Sequence, residues 1–503
     1  MATFKEMPLP PGQLIMFPTS LDDALPADCD VRLLGDALDA LQWRKFEASY
    51  AETGCPAYPP KVLCKLLIYG YSKGLRSSRA LEDAAKHDKR YIWLAGGLQP
   101  DHCTLARFRK EKQAWLKEVY RASVRLCAEA GLVLLQVTAT DGSKIQARAS
   151  KRSLYDAKRI AREMAAIERV LQEAEAADQA EDELYGEEGR AEALPEELAD
   201  AKRRKEKLKE IAKRLAESGR HSVSATEADC RVMQTEPGLR PAYNAQITVD
   251  AAQGVIVAAE ISQEESDSGQ LVGQLAQVRE NTGGQPEVAL ADTGYSDEGT
   301  FQWLEETGQE ALLPPKEHPQ EAKRNDLFAS RCFDYDAGRD VLLCPAGKAL
   351  TFRRVTRGSS GSYRIYTAGN CRNCSFYAEC VKVKSKRGRS VWISIVAGAR
   401  EKMRQKLKTP AGRELYRLRQ QLAEPVFGNF KSNKRFSRFG LAGKSGVGAE
   451  LWLLCAAQNL GIYLRNKASA AKKGVGRFFI RSIKQVFRSF SGNYLIFGGA
   501  NAP

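Results

Sequence analysis

The sequence predicts a mixed α/β fold, on three observations. Residues from about 30 to 132 carry the apolar spacing of helices, residues 243–313 alternate between strand-like and helix-like runs, and helical spacing returns over 398–465. At 503 residues and 43 % apolar content the chain is globular and too long for one ordinary core, so about two to four domains are expected. A net charge of +15 favours a polyanionic partner. No run of about 18 apolar residues is evident, and the start Met-Ala-Thr-Phe-Lys-Glu lacks the order of a signal peptide. A cytoplasmic protein without a membrane partner is therefore expected, its 12 cysteines serving as thiols or metal ligands rather than disulfides.

The first region, 1–132, reads as a helical domain. Pro59 and Pro60 open a helix with a dense apolar face that Gly74 breaks; Ser77 caps a second, and Asp101 caps a long one from 103 to about 130. Arg107, Arg109, Lys110 and Lys112 crowd the start of that last helix, which suits a helix-turn-helix-like DNA-binding module. A plain helical bundle with a solvated basic face is the blander reading. The second region, 133–313, contains a helical insertion at about 155–218. There Ile160, Met164, Ile167 and Leu171 form a short heptad seam that resumes at Leu194, Leu198, Ala201, Leu208 and Leu215. One arm is acidic and the other basic, which predicts an antiparallel hairpin for dimerisation, DNA contact or mere spacing.

Residues 243–262 are two β-rich runs around Gln253-Gly254, a hairpin signal. A helix near 268–281, a strand ending at Asp292, a helix near 297–307 and a short strand at 311–313 follow. Residues 314–397, rich in Cys, Gly and Arg, read as a β-rich insertion. A long helix over about 398–423 leads to Glu424 in a closing region, 398–465, whose 449–464 segment reads as buried helix. The basic tail, 466–503, sets Ile480, Ile483, Phe487 and Phe490 on one stripe.

Three acids stand where a fold presents carboxylates. Asp141 and Asp292 each end an apolar run, and Glu424 lies in a helix-like segment. Two carboxylates at strand ends and a third on a helix can hold a pair of divalent ions. Oxygen donors suit Mg²⁺ or Mn²⁺, the ions of phosphodiester cleavage and transfer. In a basic chain this predicts an enzyme acting on nucleic acid, although each Asp alone could equally start a turn. Cys371 and Cys374, in Cys-x₂-Cys spacing, together with Cys344 and Cys380 form a candidate closed Zn²⁺ site, with Cys332 as a spare and incidental buried thiols as the alternative. Lys384, Lys386 and Arg387 lie in a basic strip beside it, 382–389, as candidate phosphate contacts.

These segments resemble the DDE-class transposases of bacterial insertion sequences, in the branch with a Tyr-Arg-Glu-Lys signature beside the catalytic Glu. Residues 55–109 resemble the family's N-terminal domain, 141–150 its first-Asp motif and 291–296 its second. Tyr416, Arg419, Glu424 and Lys431 resemble the third motif, with Arg435-Phe436 and Gly440-Leu441 following. Arg419 and Glu424 have four residues between them where the signature has three, and Gln458-Asn459 stands where relatives carry His-Asn. The resemblance implies an RNase H-like mixed sheet with Asp141 on its first strand, Asp292 on its fourth and Glu424 on a later helix. The helical hairpin and the β-rich insertion would account for the long separations. It implies two-ion catalysis by Asp141, Asp292 and Glu424, with Tyr416, Arg419 and Lys431 positioning DNA. The implied partners are double-stranded DNA, as terminal inverted repeats and as target, held by a homodimer at the nucleoid. A nuclease of the same fold that never joins strands, or a non-catalytic DNA-binding descendant, is the alternative.

Overall fold

The computed structural model describes residues 22–472 apart from 24, 27–28, 40, 42, 49, 51–55, 186–195, 317–327, 329–331, 337, 359–360, 370 and 382–387. The chain opens with helices α1 (Asp30–Asp39), α2 (Arg44–Glu47), α3 (Pro60–Ser72), α4 (Ser78–His87), α5 (Lys89–Ala95), α6 (His102–Glu111) and α7 (Gln113–Glu129). Pro60 falls in the first turn of α3, where its missing N–H costs no hydrogen bond, and the Asp101 carboxylate caps α6 by accepting from the Thr104 N–H. The single helix expected from 103 to about 130 is two helices. The chain leaves helical geometry at Lys112 (φ −106°, ψ 35°), whose ammonium sits 4.2 Å from the Trp115 ring centroid. This break lets α6 lie against α4 while α7 enters the central core.

Strand β1 (Val137–Gln146) follows, then β2 (Leu154–Asp156), α8 (Ala157–Tyr185), α9 (Glu196–Ser218) and β3 (Ser222–Ser224). Antiparallel pairing of β2 with β3 closes the base of the helical hairpin. Ile160, Ile167, Leu208 and Ile211 are buried between its arms, and Glu163–Arg204 (3.3 Å) and Glu168–Lys205 (3.2 Å) tie the acidic arm to the basic one. The seam side chains of Leu194 and Leu198 lie outside the described residues.

The main sheet adds β4 (Arg231–Thr235), β5 (Gly238–Asp250), β6 (Ile256–Ser262), β7 (Val288–Leu290) and β8 (Ala311–Leu312), connected in part by α10 (Gln270–Thr282) and α11 (Glu298–Thr307). Its order is β4–β5–β1–β7–β8, with β6 also on β5; β5 runs antiparallel to β1, and β7 is parallel to both β1 and β8. Gly254, at φ +76°, makes the β5–β6 turn that Gln253-Gly254 predicts. Strand β4 was not expected. Its turn runs through Pro237-Gly238, with Gly238 at φ +98°, a conformation that side-chain-bearing residues avoid.

Strands β9 (Asp334–Asp336), β10 (Val341–Leu343), β11 (Ala349–Gly358), β12 (Gly361–Thr367) and β13 (Ser390–Ser394) form a second, antiparallel sheet over a small core that includes Phe333, Leu342, Leu350 and Tyr366. The short helix α12 (Tyr377–Cys380) precedes β13. The chain closes with α13 (Ala397–Lys408), α14 (Pro410–Leu422), α15 (Glu424–Ser432) and α16 (Lys444–Lys472). The long helix expected over 398–423 is broken at Thr409, whose hydroxyl accepts from the Gly412 N–H (3.0 Å) and caps α14 ahead of Pro410.

Helix α16 is the central post. Its 444–467 stretch is long and apolar enough to cross a membrane, yet it lies inside the protein against α3, α7 and β6. Asn459, fully buried, fixes it to the sheet: its Oδ1 accepts from the Ile256 N–H (2.8 Å) and its Nδ2 donates to the Ile256 carbonyl (2.9 Å). Val31, Leu66, Val124, Ile247, Leu290 and Leu454 all belong to one continuous core, so the N-terminal helices share the interior of the sheet. The tail stripe from Ile480 to Phe490 lies outside the described residues.

Candidate active site

The parallel register of β1 and β7 builds the site. Val137, Thr138 and Ala139 pair with Val288, Ala289 and Leu290, so Asp141, midway along β1, and Asp292, just past the end of β7, each stand two residues beyond the last paired positions of neighbouring strands. Asp292 leaves the strand into a 3-10 turn, its Oδ1 accepting from the Gly294 N–H at 2.7 Å. Asp141 continues in β1 opposite Ile247 and accepts from the Gly142 N–H at 3.0 Å.

Glu424 is the first residue of α15, with Pro425 in the first turn, and it is exposed. Arg419, one turn earlier on α14, reaches both acids: its Nη1 lies 3.8 Å from Asp141 Oδ1 and its Nη2 lies 3.4 Å from Glu424 Oε1. Only 11 % of the Arg419 side chain is exposed, and its guanidinium sits 5.9 Å from the Tyr416 ring centroid. Burial pushes the Asp141 carboxyl up to about 6; the nearby Asp292 and Glu424 charges push the same way, against the Gly142 N–H and Arg419. The three acids therefore share one electrostatic environment, with one arginine as their internal cation.

The other expected contacts fare differently. Lys431 on α15 pairs with Glu236 at 2.6 Å. Arg107 is exposed on α6. Arg109 does not present its guanidinium to a partner: it is 7 % exposed and donates to the Arg76 carbonyl (2.8 Å) and the Tyr71 hydroxyl (3.3 Å), because its position falls on the buried side of α6 with Leu105 and Phe108. Lys384, Lys386 and Arg387 lie outside the described residues.

Cys344, Cys371, Cys374 and Cys380 line one cavity of about 20 Å³ in the second sheet's region. The Lys348 N–H donates to Cys344 Sγ at 3.2 Å, and Gly388 (φ +84°) packs so closely that a Cβ there would sit 3.3 Å from Cys371 Sγ. Among the described residues no group of three His, Cys, Asp or Glu side chains stands as a ready metal shell. The fit of either donor set to an ion rests on its chemistry: all-oxygen carboxylates for hard divalent ions, thiols for zinc.

Sequence reasoning missed the hydrogen-bond network around Asp267 and the buried carboxylate of Glu227. Asp267 receives Lys144, Asn244 and Gln246, and buried Glu227 receives the Tyr243 hydroxyl (2.8 Å) and the Ala149 N–H (2.9 Å). Asn244 and Gln246 carry one signal, polar residues inside an apolar strand; Glu227 carries none.

Two family models match the chain. One, described as a transposase DDE domain, matches residues 343–463, from the cysteines through Glu424 into α16. The other, described as a transposase domain (DUF772), matches residues 19–111, from α1 through α6. Asp141 and Asp292 fall between the two matches. No curated protein matches the chain. With a transposase model matched toward each end and the acids joined by the sheet between, the chain is similar to the DDE transposases of insertion sequences over those two stretches.

Proposed function

We propose that the protein binds the terminal inverted repeats of its element as double-stranded DNA, cuts at their ends and joins them to target DNA, with Asp141, Asp292 and Glu424 as ligands of Mg²⁺ or Mn²⁺. The β1–β7 register carries this reading, because it sets two aspartates side by side while Arg419 holds the third acid to the first. A five-strand path with β1 between antiparallel β5 and parallel β7 supports an RNase H-like core. Two ions in such a site activate the attacking oxygen and stabilise the leaving one.

The chain's own groups position the strand. Arg419 and Tyr416 line the site, Lys431 lies on the helix that Glu424 starts, and Arg107 offers an exposed charge on α6. Lys384, Lys386 and Arg387 extend the same role to the strip beside the cysteines. Arg109 is left out of the set because its donors are used internally. The four thiols hold a structural Zn²⁺, a reading supported by their lining one cavity. The protein acts as a homodimer on cytoplasmic, nucleoid DNA.

The test is a cleavage and joining assay with Mg²⁺ on linear DNA ending in the element's repeat. Wild type should give nicked and joined products. Asp141→Asn, Asp292→Asn and Glu424→Gln should each reduce both by about a hundredfold or more while DNA is still bound. Cleavage without joining would leave a nuclease, and binding without either product would leave a non-catalytic descendant.

A further inference from the structure

We infer that the ion pair Lys144–Asp267 is a positioning device that sets the spacing of Asp141 and Asp292 for divalent ions, an inference that rests on reading those two acids as ligands. Asp267 lies in the link between β6 and α10. Both its oxygens accept from Lys144 Nζ at 2.9 Å, and Oδ1 also accepts from Asn244 Nδ2 and Gln246 Nε2 at 2.7 Å each. Lys144 stands on β1 three residues past Asp141, opposite Asn244 on β5, while Gly142 stands opposite Gln246. One carboxylate thus joins two strands of the sheet at the position next to Asp141.

The same carboxylate reaches the second aspartate. A Cβ on Gly142 would sit 2.7 Å from Asp267 Oδ1, and a Cβ on Gly294 would sit 3.3 Å from Asp267 Oδ2 and 2.8 Å from Asp292 Oδ1. Asp267 is therefore wedged between the glycine that follows Asp141 and the glycine whose N–H holds Asp292. The Tyr295 hydroxyl completes the ring by donating to Gln246 Oε1. Side-chain exposures of 22 % for Lys144 and 15 % for Asp267 place the pair out of bulk water, where such networks hold their members firmly. Three of these hydrogen bonds fall on Oδ1 and one on Oδ2, which pins the carboxylate in place, so that Asp267 acts through Asp141 and Asp292.

The measurement is Mn²⁺ binding to the full chain without DNA, by isothermal titration calorimetry, alongside the thermal unfolding midpoint. Asp267→Asn and Lys144→Gln should weaken Mn²⁺ binding by about 10- to 100-fold, the usual range for groups that orient metal ligands. Lys144→Arg, which keeps the charge, should recover most of that loss. The Mg²⁺ concentration for half-maximal cleavage should rise in the same order. Unchanged Mn²⁺ affinity in either folded variant overturns the inference, as does tighter binding by Lys144→Gln, which would make Asp267 a masked ligand. If Asp267→Asn does not fold, the two Lys144 variants decide. Asp141→Asn separates the premises: wild-type Mn²⁺ binding by that variant would defeat the ligand reading itself.

Discussion

Glu450, 1 % exposed on α16, accepts from the Tyr71 hydroxyl (3.0 Å) and from the Gly440 and Leu441 N–H groups (2.7 and 3.0 Å). It ties α3 and the loop after α15 to the central post. Glu450→Ala would leave the buried Tyr71 hydroxyl and the part-buried Gly440 and Leu441 N–H groups without this acceptor, so urea titration should show a loss of about 1–3 kcal/mol. A wild-type urea midpoint would refute this account. Asp250 makes a different kind of contribution. Burial pushes its carboxyl up to about 6, although the Ala252, Leu135 and Leu134 N–H groups pull it down. Its folded pKa exceeds the unfolded value of about 3.9, so the folded protein binds more protons between the two, and stability falls as pH rises through that window. Asp250→Asn should remove this effect. Between about pH 4 and 6, wild type should lose about 2 kcal/mol relative to the variant, read from unfolding midpoints at each pH. Neither residue was legible in the sequence, because nothing local marks a carboxylate whose partners come from distant segments. Asp141 and Asp292 were legible, since each ends an apolar run that a strand must bury.

At the scale of elements, the same contrast recurs between breaks with local and non-local causes. Thr409-Pro410 is a helix start written in the chain, a capping hydroxyl before a residue without an N–H. Pro237-Gly238 announced the turn that creates β4 in the same way. The break at Lys112 has no such mark; α6 and α7 part because they pack on different neighbours. The described arms of the helical hairpin were legible, because both their apolar seam and their charge asymmetry are local properties. The cysteine region makes the sharpest element-scale prediction. Metal analysis of purified protein should give about one Zn²⁺ per chain by the four-thiolate rule. Cys371→Ser should release it and loosen β9–β13 while leaving the main sheet folded. A zinc-free protein with normal DNA binding would show that the thiols are simply packed.

At the scale of the whole molecule, the helices before residue 132 and the strands after it bury their apolar faces together. A sequence read in consecutive blocks gives those helices a domain of their own, because periodicity reports each face but not what covers it. Deleting residues 1–132 should therefore not yield a catalytic core that merely binds DNA without preference. It should expose the side of α16 that α3 and α7 cover, giving protein without near-ultraviolet dichroism or a cooperative melt. A truncated chain that melts cooperatively would establish two separable units.

That shared interior also bears on descent. Modules joined by a linker can be exchanged whole by recombination, and the recipient keeps a working core. A crossover between α7 and β1 in this chain would mate α16 with an unfamiliar set of helices and spoil the packing around Leu454 and Val124. Under the proposed DNA-binding role, a lineage built this way is expected to change what its first helices recognise one exposed residue at a time, at positions such as Arg107, and to inherit the rest as a unit.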